Sequence, residues 1–224
     1  MIKPKLSYIL FILFVIGIAD TVFCQDTTLK QQTPFRKYRT ITSLSGNIRS
    51  STSKYGENDF SGRRYINSYT FDLAYARMVI DRLGLGASVT FNRSSSDELA
   101  FRETEIFTVG PVARYYISDN HFGSIFFNGG VHWMQFLEHS EVDVNLYSTE
   151  IEYEGKGFGG VLGIGYTFTM LDRVGFDIAM GYQISHINGE ARDLILGTSY
   201  SDSFMHLAYR FSFGFIVLLD KIRE

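Results

Sequence analysis

The chain has 224 residues, a formal net charge of −3 and 16% aromatic side chains, with 21 glycines and three prolines. With 21 basic side chains against 24 acidic ones there is no basic surplus to hold a polyanion, so nucleic acid is not an expected partner. The aromatic- and glycine-rich mixture favours many strands over a helical or disordered chain.

The first segment is an export leader. Lys3 and Lys5 precede an apolar run from about Leu6 to Ile18, too short for a membrane span and interrupted by Asp20. Residues 1–24 are expected to be a signal peptide cleaved near Cys24; the rival reading is acylation of Cys24, which the bulky Phe23 before it disfavours. Without the leader the net charge becomes −4 and the chain holds no cysteine, hence no disulfide or thiol chemistry. Residues 25–37 are expected to form a periplasmic N-terminal segment, 38–219 a barrel and 220–224 a short tail. After the leader no stretch approaches 18 consecutive apolar residues, so no helix is expected to span a membrane.

Eight alternating segments follow, each predicted as a strand. The first is about 39–50. The second, 64–79, places Tyr65, Tyr69, Phe71, Leu73 and Tyr75 on one face. The third, 83–93, sets Leu85, Val89 and Phe91 against Gly84, Gly86 and Ser88. The fourth, 104–117, sets Phe107, Val109 and Tyr115 against Thr108, Gly110 and Arg114. The fifth, 122–137, sets Ile125, Phe127, Val131 and Trp133 against Ser124, Asn128 and His132. The sixth, 157–170, sets Leu162, Ile164, Tyr166 and Phe168 against Gly163, Gly165 and Thr167. The seventh, 174–187, sets Ile178, Met180 and Tyr182 against Asp177, Gly181 and Gln183. The eighth, "HLAYRFSFGFIV" at 206–217, sets Leu207, Tyr209, Phe211, Phe213 and Phe215 against His206, Arg210 and Gly214.

Tight connections at 79–84, 117–123 and 170–175 alternate with longer polar ones at 51–63, 94–103, 138–156 and 189–202. Short turns on one rim and long loops on the other are the layout of a transmembrane barrel. The second faces decide the solvent. Turned to water they would be rich in Lys and Glu, but they hold Gly, Ala, Ser, Thr and Asn, and the five lysines after the leader all lie outside strand middles. Small polar residues instead suit a narrow eight-stranded lumen, and closure leaves no unpaired edge in hydrocarbon. The expected fold is therefore all-β: an eight-stranded antiparallel up-and-down transmembrane β-barrel with short periplasmic turns and longer extracellular loops. A soluble, lipocalin-like ligand-binding barrel with the aromatic faces inward is the remote alternative. Tyr69, Tyr75, Tyr115, Trp133, Tyr166, Tyr182 and Tyr209 are candidates for the interfacial aromatic girdles, and Arg77 for headgroup contact.

The leader, the eight segments, the repeated Asp-Arg-x-Gly turns ("DRLG", "DRVG") and the terminal "YRFSFGFIVLL" resemble the OmpA/OmpX-like, porin-family barrels of Gram-negative outer membranes over about 38–219. The resemblance implies an outer-membrane location and contact with its lipid and lipopolysaccharide.

For function, the lumen-facing residues Asp72, Arg114, Asp177, Arg210, His132, Gln183 and His206 are expected to form a polar network that fills the barrel, since buried charges must be paired. The alternative is a narrow porin-like channel for small solutes. Ser185 and His186 adjoin and so point to opposite faces, which excludes them as a nucleophile–base pair. No enzyme activity, cofactor or metal is expected, and the spacing of acidic residues in 138–156 fits no calcium loop. That segment is instead expected to extend strands five and six as an acidic hairpin with an edge open to strand addition by a protein partner. The leading expectation is a monomeric barrel with a structural or surface-interaction role.

Overall fold

A computed structural model describes residues 34–54, 63–97, 100–118, 122–144, 147–170 and 173–220. The expected signal peptide, the fate of Cys24 and most of the segment 25–37 lie outside these residues. Eight strands follow one another: β1 (Thr40–Lys54), β2 (Arg63–Ile80), β3 (Leu83–Asp97), β4 (Ala100–Tyr116), β5 (Gly123–Val144), β6 (Tyr147–Met170), β7 (Val174–Asp193) and β8 (Ser199–Leu219). Each pairs antiparallel with its sequence neighbour, and β8 returns to β1 to close the barrel. No described helix is long and apolar enough to cross a membrane, which says nothing of a β-barrel.

The period of two sets the two surfaces. Along β8, Phe211, Phe213 and Phe215 are exposed on the outside, whereas Gly214, Ile216 and Leu218 are buried inside. The same outward exposure holds for Tyr69 and Phe71 on β2, Phe107 and Val109 on β4, Ile125 and Phe127 on β5, and Leu162 and Ile164 on β6. A continuous apolar exterior around a closed backbone is a lipid-facing design.

Strand number and facing agree with the sequence reading, but the long connections do not stay loops. β5 and β6 leave only 145–146 between them, β7 and β8 only 194–198, and β3 and β4 only 98–99. Backbone pairing needs no apolar face, so the ladders climb past the lipid belt. There a second inward cluster of Ile106, Met134, Phe136, Tyr153, Ile187 and Ala191 holds them together. The edge expected on the acidic hairpin is consequently taken. β4 pairs with β5 up to Ala100↔Val142, β7 pairs with β6 from Ile151↔Asp193, and the Leu194 N–H donates to the Glu150 carbonyl at 2.8 Å.

The two Asp-Arg turns share a device. Arg82 takes a positive φ of 69° in the two-residue turn between β2 and β3, and its carbonyl accepts from the Tyr116 N–H at 2.8 Å. The Arg173 carbonyl likewise accepts from the Leu218 N–H at 2.6 Å. Each turn thus reaches the foot of a strand beyond its own hairpin.

The barrel unit begins before residue 38. Phe35 is fully buried and stacks on Tyr116 with ring centroids 3.7 Å apart. Its carbonyl accepts from the Arg82 N–H, and Arg36 and Arg39 reach Asp220 at 2.5 and 3.2 Å. An aromatic side chain at the mouth of an apolar lumen gains by entering it, so 34–37 form a stopper rather than a free tail.

Candidate functional site

β6 explains how the lumen is filled. Its inward face carries Gly155, Gly157, Gly159, Gly163 and Gly165, so side chains from β5 and β7 meet across it. His132, Gly159 and Ser185 lie on one register row; a Cβ on Gly159 would come within 2.8 Å of His132 Nε2 and collide with Ser185 Oγ. With only hydrogen there, His132 Nε2 and Ser185 Oγ approach to 2.9 Å, and Gln183 Nε2 lies 3.1 Å from the same ring nitrogen.

The half of the lumen nearest the short turns is closed. Arg114 donates to Asp177 at 2.6 Å, and Thr167 donates to the other carboxylate oxygen at 2.6 Å. The Arg114 guanidinium also lies over the Phe126 ring, 4.2 Å from its centroid. Below this layer Phe35, Ile41, Met78, Tyr116, Phe126, Ile216 and Leu218 form a buried hydrophobic cluster. A buried charged pair is tolerated only where each partner is satisfied by the other and by hydrogen bonds.

A second polar layer sits higher. Asp72 accepts from Thr90 at 2.5 Å and from Arg210 at 3.3 Å, and Asn92 donates to Thr70 at 2.6 Å. His206 faces the same space, its ring 6.2 Å from that of Phe136. Asp72, Arg114, Asp177, Arg210, His132, Gln183 and His206 all face the interior, yet they form two layers with separate partners rather than one network.

Above the second layer the barrel is hollow. A cavity of about 1440 Å³ reaches from Gln183 and Arg210 towards Arg102 and Glu138, which pair at 3.3 Å. Neither the cavity nor the Phe35 stopper was foreseen. Phe35 carried one usable signal, an apolar residue four positions before a predicted strand. The cavity carried none, because inward Ser, Thr and Asn look alike whether packed or solvated.

The girdle candidates fall at two levels. Tyr75, Tyr115 and Tyr166 lie towards the short turns, and Tyr69, Trp133, Tyr182 and Tyr209 towards the far end, with Tyr182 and Tyr209 directly paired, ring centroids 4.8 Å apart. Arg77 and Lys37 both approach the Tyr38 ring near the short-turn rim. Past the belt the outer wall turns acidic. His139, Glu141 and Glu150 converge there, with ligand atoms all within 4.8 Å of one another, and Glu141 and Glu150 face each other across the β5–β6 ladder. Glu138, by contrast, points inward to Arg102.

Residues 64–190, from the start of β2 almost to the end of β7, match the family described as Protein of unknown function (DUF3575). The chain belongs to the DUF3575 family. No curated protein matches it in sequence. In structure this DUF3575 barrel is similar to the outer membrane protein OprG from Pseudomonas aeruginosa, at 11% identity and a TM-score of 0.55, covering 85% of this chain and 100% of OprG. It is also similar to outer membrane protein AlkL in lipid bilayers, at 11% identity and a TM-score of 0.52, covering 90% of this chain and 99% of AlkL. By fold the DUF3575 chain is an eight-stranded outer-membrane β-barrel.

Proposed function

We propose that this chain is a monomeric, non-conducting barrel of the outer membrane with a surface-interaction role at its long-loop end. The observation that carries this reading is the closed foot of the lumen: Phe35 stacked on Tyr116 beneath the Arg114–Asp177 pair. A fully packed cross-section leaves no continuous water path. The long-loop end offers two surfaces for contact. One is the acidic outer wall of β5 and β6, with Glu141, Glu150, Glu152 and Glu154, suited to a cationic partner surface or to cation-bridged lipopolysaccharide. The other is the tip of the β7–β8 loop, where Leu194, Ile195 and Leu196 are exposed. The Asp193 carboxylate holds that tip in shape by accepting from the Ile195 and Leu196 N–H groups at 2.9 Å each.

The hollow outer half supports a second reading, passage of small solutes once the stopper moves. Planar-bilayer recording separates the two. The wild-type chain is expected to show no stepwise conductance, and deletion of residues 25–37 with Asp177→Asn is expected to open steps; steps in the wild type would favour the channel. An enzymatic role is not proposed: Ser185 and His132 are both buried, and the group beside His132 is the Gln183 amide rather than a carboxylate that would orient a base.

A further inference from the structure

We infer that the wall between β1 and β8 is a lateral slot, and that the cavity behind it holds an amphiphile astride the wall, an uncharged hydroxyl-bearing head inside and a single apolar tail outside. The inference deepens the closed-barrel reading and rests on it.

Strand pairing locates the slot. The other seven neighbouring pairs are laddered over most of their length, β5–β6 from Gly123↔Phe168 to Val144↔Tyr147 for example. β1 and β8 pair only from Thr40↔Leu219 to Gly46↔Phe213, although β1 continues to Lys54 and β8 begins at Ser199. The ladder closes tightly as far as it goes, since a side chain on Gly214 would collide with Ser45. One rung further the backbone bond is replaced by a side chain, Asn47 Nδ2 donating to the Phe211 carbonyl at 3.0 Å. Beyond that, among the described residues, the two edges face each other unpaired. In hydrocarbon an unpaired edge is costly, so a slot at lipid depth calls for an occupant with hydrogen-bonding capacity at the wall.

The cavity passes through this slot. Its inner lining includes Ser68, Thr70, Asn92, Ser94 and Thr104; its outer lining includes Ile48, Tyr69, Phe71, Tyr209 and Phe213. Ile48 at 90% and Tyr209 at 87% are the most exposed large apolar side chains described, and they flank the slot on opposite sides. The charges inside are already matched, Arg210 with Asp72 and Arg102 with Glu138. What remains of the polar lining on β2 to β4 is a set of hydroxyls and amides, beside the apolar Ile106, Phe136 and Phe204, which favours an uncharged, hydroxyl-bearing group over an anion or a cation. The outer aromatics suit a tail.

The test uses the purified full chain and native mass spectrometry after release from micelles, with dodecyl maltoside, dodecyl phosphate and dodecyltrimethylammonium as probes. Continuing the β1–β8 register places Ile48 opposite Phe211, so Ile48→Cys with Phe211→Cys, in a Cys24→Ser background, staples the slot when oxidised. The expected result is a one-to-one maltoside adduct, at least tenfold above the charged probes. It should fall at least tenfold in the oxidised staple and in Ala208→Trp, which fills the cavity, and return on reduction. Heat-modifiable gel mobility confirms that each variant is folded. A maltoside adduct unchanged by the oxidised staple, equal retention of all three probes, or no adduct in the wild type would each overturn the inference. Stepwise conductance of the wild type would instead overturn the closed-barrel reading, so the two failures are distinguishable.

Discussion

The two halves of the lumen are built from the same kind of strand and yet behave as opposites. Near the short turns, Arg114, Asp177, Thr167, Tyr116 and Phe126 interlock and Phe35 seals them from below. Towards the long loops, Asp72, Arg210, Asn92 and His206 line a cavity of about 1440 Å³. The difference lies in side-chain volume set against the closure of the wall. The foot has large inward residues from all round the ring and complete pairing of all eight strands; the top confines its large inward residues mainly to β5 to β7, has inward Ser, Thr and Asn on β2 to β4, and has a β1–β8 ladder that stops at Gly46↔Phe213. Packing is what a barrel does where nothing need enter, and a hollow requires small residues and an incomplete wall together.

That contrast fails first if the foot tolerates damage. Asp177→Ala leaves the buried Arg114 without its carboxylate and is expected to cost about 3–5 kcal/mol, measured as the shift in urea-unfolding midpoint of the barrel in vesicles. A shift matching that of a surface substitution would mean that water already reaches this layer. Phe35→Ala removes a fully buried aromatic ring and is expected to cost about 3 kcal/mol, with the first conductance steps appearing in the same preparation.

Smaller effects sharpen the boundary between the halves. Gly159→Ala drives a methyl group into the His132–Ser185 contact and should cost about 1–3 kcal/mol. The double variant with Ser185→Gly should regain only part of that loss in the same unfolding assay, because the Ile184 carbonyl, 2.3 Å from the added carbon, stays in place; a purely additive result would show that the side-chain crowding contributes nothing. Thr104→Val, in the hollow half, is expected to stay within about 0.5 kcal/mol of wild type; a loss comparable to that of Gly159→Ala would mean the cavity is packed after all.

The gentlest test concerns the exposed β7–β8 tip. Hydrogen bonds from the Leu196 N–H and then the Ile195 N–H, with one from Thr149, hold the Asp193 carboxyl below its ordinary value. A depressed folded-state pKa means that this local stability is complete above the ordinary carboxylate range and is lost as pH falls through the lower, folded value. Protection of the Ile195 and Leu196 amides, taken relative to their intrinsic exchange rates, should therefore fall on acidification below about pH 4, while protection in the β7 ladder stays unchanged. Asp193→Asn should show the lower protection at every pH.

Much of this molecule could be read from single segments. Strand facing is a local property: once Phe211, Phe213 and Phe215 share a parity, Arg210 and Gly214 must share the other, whatever the partner strand. Other strand ends fall short because hydropathy marks where lipid stops, whereas hydrogen bonding continues, as β3 and β4 do up to Asp97 and Ala100. The acidic hairpin was foreseen, but not that β4 and β7 would take both its edges. The lumen residues share an inward parity that is local, but no local rule matches Asp72 to Arg210 or Arg114 to Asp177 across 138 and 63 positions.

The sequence by itself determined an eight-stranded barrel with an aromatic exterior, a small and polar interior and tight Asp-Arg turns, because alternation and turn chemistry act over a few residues. Only the tertiary structure decided the His132–Ser185 contact across Gly159, the Phe35 stopper and the slot between β1 and β8. Those depend on the stagger that closure imposes between strands, and that stagger is a property of the whole ring.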